Sequence, residues 1–329
     1  MKKIIYIEKE VKNSQRTKQI LKKFKDPVIV IIDRYTEVFN KKNQDFGLQK
    51  INPAIILAKK HNNFLLKTPK NYSIGKKNNY YFSYMYNCLF DCRYCFLQGM
   101  YNSSNFVIFV NYEDFFNEIR YLEKDLSAKD TTIFSGYDCD SLGYDHITNF
   151  SDSVLKHFNS FNKMELEIRT KSTYLKPFYR QALKNIVLAF SFTPEKFSSK
   201  YEVGVANLEK RINALKKVID FGWNIGIRLD PFVIYQGWEK DYKQLFEILF
   251  SIIPKGQMHS VTYGNIRYPK EIFTKIKKSY PEESLFFKFE KNKGNIYDED
   301  NGDLINNFCN QYLFSFIDQS KVFCNIHEK

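Results

Sequence analysis

The sequence predicts an α/β fold in which about six strand–helix units form part of a barrel. A small α/β unit precedes it and an extension follows. Three observations carry this. From Tyr80 onward, short β-branched and aromatic runs alternate with amphipathic stretches of helical length. That alternation is the signature of a parallel sheet with right-handed crossovers. Ahead of it, Pro27-Val28-Ile29-Val30-Ile31-Ile32 is a continuous apolar run, as expected of a buried parallel strand. The chain has 329 residues, 43% of them hydrophobic, enough for one such barrel with appendages. The expected divisions are 1–75 for the N-terminal unit, 76–280 for the barrel and 281–329 for the extension.

Taken in order, residues 3–8 read as a strand, and 12–25 as a helix with Ile20, Leu21 and Phe24 on one side. The strand 27–32 completes the first unit. Tyr80-Tyr81-Phe82 is the first barrel strand and leads into a cysteine-rich loop. Asn111 is expected to N-cap a helix running to about Glu123. Strands follow at 131–134, 165–170, 186–192, 224–229 and 260–263. Helices are expected at 145–158, 174–184, 207–221, 240–253 and 269–278. The extension reads as a hairpin from Leu285 to Tyr297 turning near Asn292-Lys293-Gly294, then a helix at 301–316 and a strand at 322–324.

Composition narrows the function. Aromatic residues make up 17% of the chain, which excludes a disordered class. No apolar run reaches the roughly 18 residues of a membrane span, and the first residues lack the pattern of a signal peptide. Six cysteines, three of them clustered, fit a reducing cytoplasm and not a disulfide framework. Fifty Lys and Arg against 37 acidic residues leave a net charge of +13, which favours an anionic partner, nucleic acid first.

The chemistry concentrates in Cys88-Leu89-Phe90-Asp91-Cys92-Arg93-Tyr94-Cys95. Three thiols at Cys-x3-Cys-x2-Cys spacing suit an iron–sulfur cluster, zinc or copper(I). A structural zinc site wants four ligands, and no further Cys or His lies nearby. A four-iron cube held by three thiolates keeps one iron open. Buried, reduced thiols are the plain alternative. The spacing, and the continuation Tyr94-Cys95-Phe96-Leu97-Gln98, resemble the spore photoproduct lyase family of radical S-adenosylmethionine (SAM) enzymes. That resemblance implies the partial radical-SAM barrel, a [4Fe–4S] cluster on Cys88, Cys92 and Cys95, and SAM on the open iron. It also implies a carbon–carbon lyase that repairs a DNA lesion.

Further matches follow from the same resemblance. Phe134-Ser135-Gly136-Tyr137-Asp138-Cys139-Asp140-Ser141 ends the second barrel strand, where the family meets the methionine end of SAM; Ser135, Gly136, Asp138 and Asp140 are the candidates there. Gly136 would let the backbone approach closely. Lys171, ending Arg169-Thr170-Lys171, matches the lysine that pairs with the SAM carboxylate. Ser191 matches a serine near SAM. Arg228 and Asp230 are candidates to hold ribose or substrate, or to pair with each other. Leu208-Glu209-Lys210-Arg211 and Gly237-Trp238-Glu239 match further blocks. Trp238 is read as a stacking residue or as core.

Two departures bear on repair and leave SAM cleavage intact. Tyr137 stands where the spore enzymes carry a hydrogen-donating cysteine; Cys139, two residues on, is on the same face of an extended segment. Phe96 stands where they carry a tyrosine, whereas Tyr94 is retained. Tyr94, Tyr137 and Cys139 are therefore the candidates for hydrogen transfer. The implied partners are DNA or a nucleotide lesion and an electron donor such as a flavodoxin or ferredoxin. A radical SAM enzyme on another substrate, and a metal-stabilised nucleic-acid-binding protein without catalysis, are the other readings.

Overall fold

The computed structural model describes residues 2–69, 72–124, 129–291, 296–298 and 301–326. Two sheets organise it. The larger contains β4 (Leu66–Lys67), β5 (Asn78–Phe82), β9 (Thr131–Ser135), β10 (Met164–Thr170), β11 (Ile186–Ser191), β13 (Asn224–Phe232), β14 (Met258–Asn265) and β18 (Val322–Cys324). Its order is β18-β14-β13-β11-β10-β9-β5-β4. All pairs are parallel except β4 with β5. The six expected barrel strands thus lie side by side in chain order, and the last strand of the extension adds a seventh parallel one. Sequential order follows from helical crossovers that return each strand beside its predecessor.

The smaller sheet contains β1 (Ile4–Glu8), β2 (Val28–Ile32), β3 (Ile55–Ala58), β6 (Met85–Tyr86) and β8 (Phe106–Phe109), in the order β2-β1-β3-β8-β6. β3 and β8 are fully buried apolar runs. β6 and β8 come from beyond residue 75, so this sheet takes in chain on both sides of the cysteine loop. One continuous apolar core joins the two sheets. Short pairings complete the fold: β7 (Asp91–Cys92) with β12 (Glu202–Val203), and β17 (Ile296–Asp298) with both β15 (Arg267–Pro269) and β16 (Glu290–Lys291). The turn expected at 292–294 lies outside the described residues. Among the described residues, no helix is long and apolar enough to cross a membrane.

Several local expectations are corrected. β2 is parallel but not buried: Val28, Ile29, Val30 and Ile31 are 45%, 48%, 37% and 38% exposed, because β2 is an edge strand with β1 on one side only. The helix expected at 174–184 is a single 3-10 turn, Lys176–Phe178; Pro177 removes a backbone donor there. The helix expected at 145–158 breaks into Asp145–Thr148 and Phe150–Phe158 at Asn149, whose φ is +47°. Asn111 does not cap its helix through its side chain. Its amide instead exchanges hydrogen bonds with the backbone of Lys60 beyond β3.

Candidate active site

A cavity of about 410 Å³ opens at the C-terminal ends of the barrel strands. Parallel strands end on one rim, so the loops following them converge. The cysteine loop follows β5 and contributes Cys88, Cys92, Cys95, Tyr94 and Phe96 to the lining. Ser135 comes from the end of β9, Gly136, Tyr137, Cys139 and Asp140 from the loop after it, Lys171 from the end of β10 and Ser191 from the end of β11.

The loop is pinned on several sides. Strand pairing sets Cys92 opposite Glu202, and Arg93 N donates to Tyr201 O at 2.8 Å. Tyr280 OH lies 3.0 Å from Asp91 Oδ1 and from Gln98 Oε1, and Lys50 joins both acceptors. Burial pushes the Cys88, Cys92 and Cys95 thiols up from their ordinary range; the charge of Lys171 opposes this at Cys92 and Cys95. Such thiols stay protonated until a metal displaces the proton. Among the described residues, no three Cys, His, Asp or Glu side chains converge on one ion position. Three thiols facing a shared cavity suit a multi-iron cluster, whose ligands each take a different iron. The donor set therefore fits the expected group.

The loop after β9 is shaped by its own hydrogen bonds. Gly136 has φ +74°, and a Cβ there would stand 2.5 Å from Ser141 Oγ; only glycine fits this turn. Ser135 Oγ is within hydrogen-bonding distance of Ser141 Oγ at 2.8 Å and donates to Glu167 O at 3.0 Å. Asp140 accepts from Thr170 Oγ1 at 2.6 Å, Lys171 N at 2.6 Å and Leu142 N at 2.9 Å. It straps this loop to the end of β10. Burial raises its pKa against those three donors.

Lys171 Nζ lies 3.6 Å from Glu202 Oε1. Glu202 is fully buried and also accepts from Tyr94 OH, Thr193 Oγ1 at 3.0 Å, Ser198 Oγ at 2.8 Å and Arg211 Nη1 at 2.8 Å. Burial alone would raise its pKa. The charges of Lys171 and Arg211, with the Tyr94 and Ser198 hydrogen bonds, outweigh that and hold it at about 2. Of this group Lys171 reaches the cavity lining, beside Asp140, with Glu202 and Arg211 behind it. Beyond it, Tyr137 packs between Tyr81 (4.4 Å between centroids) and Phe96 (5.8 Å), an aromatic wall of the cavity.

The structure does not bring two of the expected residues to the lining. Asp138 is buried beside Ser83 and Lys60. Arg228 is completely buried and pairs with Glu167 at 2.7 Å, not with Asp230. Asp230 does line the cavity, held by Arg169 at 3.3 Å and Thr262 Oγ1 at 2.6 Å. Consecutive inward positions on a strand explain the exchange: residue 228 sits deeper in the barrel and residue 230 at its rim. Ser191 Oγ accepts from Arg169 Nε at 2.9 Å. Trp238 is core, against Phe232 and Phe308. Glu202, Arg169 and Tyr72 escaped the sequence reading; Arg211, nine residues past Glu202, was the one hint of its partner.

A family model described as spore photoproduct lyase matches residues 1–322. The spore photoproduct lyase of Bacillus subtilis (strain 168) is 26% identical over 269 residues, 78% of this chain and 79% of that protein. That of Clostridium acetobutylicum is 23% identical over 225 residues, 64% of this chain and 65% of that one. A spore photoproduct lyase variant solved with AdoMet and dinucleoside spore photoproduct superposes with a TM-score of 0.80 at 17% identity, covering 98% of each chain. The fold is thus the same from end to end.

Proposed function

The chain belongs to the spore photoproduct lyase family, a family of enzymes, and on that premise we propose that it cleaves SAM reductively and acts on a thymine lesion in DNA. The observation that carries this is the convergence of Cys88, Cys92 and Cys95 with Lys171 and the Gly136 turn on one cavity. A [4Fe–4S] cluster on the three thiolates, with SAM at its open iron, would supply the radical that abstracts hydrogen from the substrate.

The chain's own residues do the rest. Lys171 offers its ammonium donors to a carboxylate, since at 3.6 Å its contact with Glu202 is an ion pair and not a hydrogen bond. Gly136 leaves backbone accessible where a side chain would block it. Phe96, Tyr137 and Tyr81 offer flat faces to a base. A largely apolar cavity keeps water from the reacting centre. Tyr94 is committed to Glu202, so its hydroxyl positions and does not move freely. Return of hydrogen to the product falls to Tyr137 or Cys139, both on the lining. The net charge of +13 supports a polyanionic substrate. A flavodoxin or ferredoxin would supply the electron.

The test is anaerobic reconstitution with iron and sulfide, then dithionite and SAM. About four irons per chain and formation of 5′-deoxyadenosine, both lost in Cys92→Ala, are expected. Addition of DNA carrying the spore photoproduct should yield repaired thymines. Zinc in the site, or no SAM cleavage, would refute the proposal; cleavage without repair would leave the SAM chemistry and remove the lesion.

A further inference from the structure

The molecule's two main sheets have four edges, and three are short. β4 and β6 have two residues each and β18 has three. The fourth, β2, runs for five, Val28–Ile32, and pairs one-to-one with β1 along its whole length without a bulge. It carries no charge and no proline, and four of its aliphatic side chains are substantially exposed. Proteins ordinarily guard such an edge with charge, proline, a bulge or a covering element. Among the described residues nothing pairs with its outer side.

The backbone specifies what would fit. Val28 N donates to Lys3 O at 2.9 Å, toward β1. Backbone groups alternate sides along a strand, so Ile29 and Ile31 turn their N–H and C=O outward. A second copy approaching antiparallel about a two-fold axis at Val30 sets Ile29 of each copy opposite Ile31 of the other. Each such pair exchanges two hydrogen bonds, and Val30 meets its own copy as the intervening non-bonded pair. The same register places Val28 opposite Ile32. Shifting the centre to Ile29 would set Ile31 against Pro27, which has no N–H to give. Shifting it to Ile31 would set Ile29 against Asp33, already outside the strand. One register therefore uses every outward group within the strand, with aliphatic against aliphatic.

We propose that β2 is a self-association edge, joining two copies of this chain antiparallel about Val30 into a continuous ten-stranded sheet. An isologous contact of this kind closes at two. One five-residue strand makes less than a standard interface, so the dimer is reversible and concentration-dependent.

The test is sedimentation equilibrium of the full chain, reconstituted and anaerobic, over roughly 1–200 µM, a span around the affinities expected of small interfaces. The mass should rise with concentration from 39.2 kDa toward twice that value. Ile29→Lys and Val30→Lys, on opposite faces of an already exposed strand, should each stay monomeric with unchanged circular dichroism. Residue-resolved amide exchange should show Ile29 and Ile31 gaining protection with concentration while Val28 and Val30 are protected throughout. A wild-type monomer across the range would overturn the proposal and leave the edge to a strand of another protein. A dimer that persists in both lysine variants, or that leaves the Ile29 and Ile31 amides unprotected, would overturn it as well.

Discussion

Two buried carboxylates, Glu167 and Glu202, are both neutralised by arginine, yet they are different objects. Glu167 meets Arg228 at 2.7 and 3.1 Å, and the remaining donors of that guanidinium go to Ser260 Oγ, Ser260 O and Ile227 O. Charge and hydrogen bonds both close. Glu202 faces Arg211 and Lys171 together. Nε and Nη2 of Arg211 have no hydrogen-bond partner among the described residues, and Lys171 stands off at 3.6 Å. In the first group Arg228 is enclosed in the barrel and Glu167 reaches the cavity lining. In the second only Lys171 reaches the lining, with Glu202 and Arg211 behind it. Arg228, which its motif puts forward as a ligand, has every donor taken inside the barrel, whereas Arg211 and Lys171 do not close on Glu202 in the same way.

The largest effect should come from opening the closed pair. Glu167→Gln strands Arg228 in the barrel interior, and denaturant unfolding should show a loss of about 3–5 kcal/mol. Replacing both partners with apolar residues of similar volume should recover most of it.

Next is the acid limb of stability. Glu202 has its folded pKa lowered from 4.5 to about 2. Its stabilisation is therefore full above the unfolded value and is lost as pH falls from about 4.5 toward 2. The difference between wild type and Glu202→Gln should shrink by about 2–3 kcal/mol across that window. A difference independent of pH would mean the carboxylate is not charged as described.

Lys171→Met should lower both stability and binding. Unfolding should lose about 1–3 kcal/mol, since the charge that does most to keep Glu202 ionised is gone, and SAM affinity, read by equilibrium dialysis on protein of unchanged iron content, should fall roughly tenfold or more, as for loss of a charged hydrogen bond. Equal affinity would remove Lys171 from the cofactor grip. The smallest change is expected for Ser191→Ala, which takes one acceptor from Arg169 and should cost about 1 kcal/mol.

The sequence made the barrel readable because each strand is an apolar run bounded by an amphipathic stretch, and chain order is sheet order. It made the cysteine loop readable because the ligands are local. What it hid is non-local. A β-branched run announces a strand but not whether a neighbour covers it, so β2 reads as buried and is not. Ile55–Ala58 and Phe106–Phe109 are adjacent in the smaller sheet although the cysteine loop separates them in the chain. Glu167 and Arg228 are 61 residues apart, and nothing near either one names the other. Separation in the chain also hid Glu202, whose meaning depends on Lys171 arriving from the end of β10 and Tyr94 from the cysteine loop.

The pinning of the cysteine loop also sets a timetable. Its thiols belong to residues 88–95, but the strand that pairs with Cys92 is Glu202–Val203, and the hydroxyls of Tyr268 and Tyr280 hold Tyr94 O and Asp91. On the ribosome these segments emerge some 110 to 190 residues later. A nascent chain would expose three loose cysteines well before it could hold them in place, so any cluster proposed on them would have to be loaded after synthesis, and the interval before the loop is pinned is when those thiols are most open to oxygen.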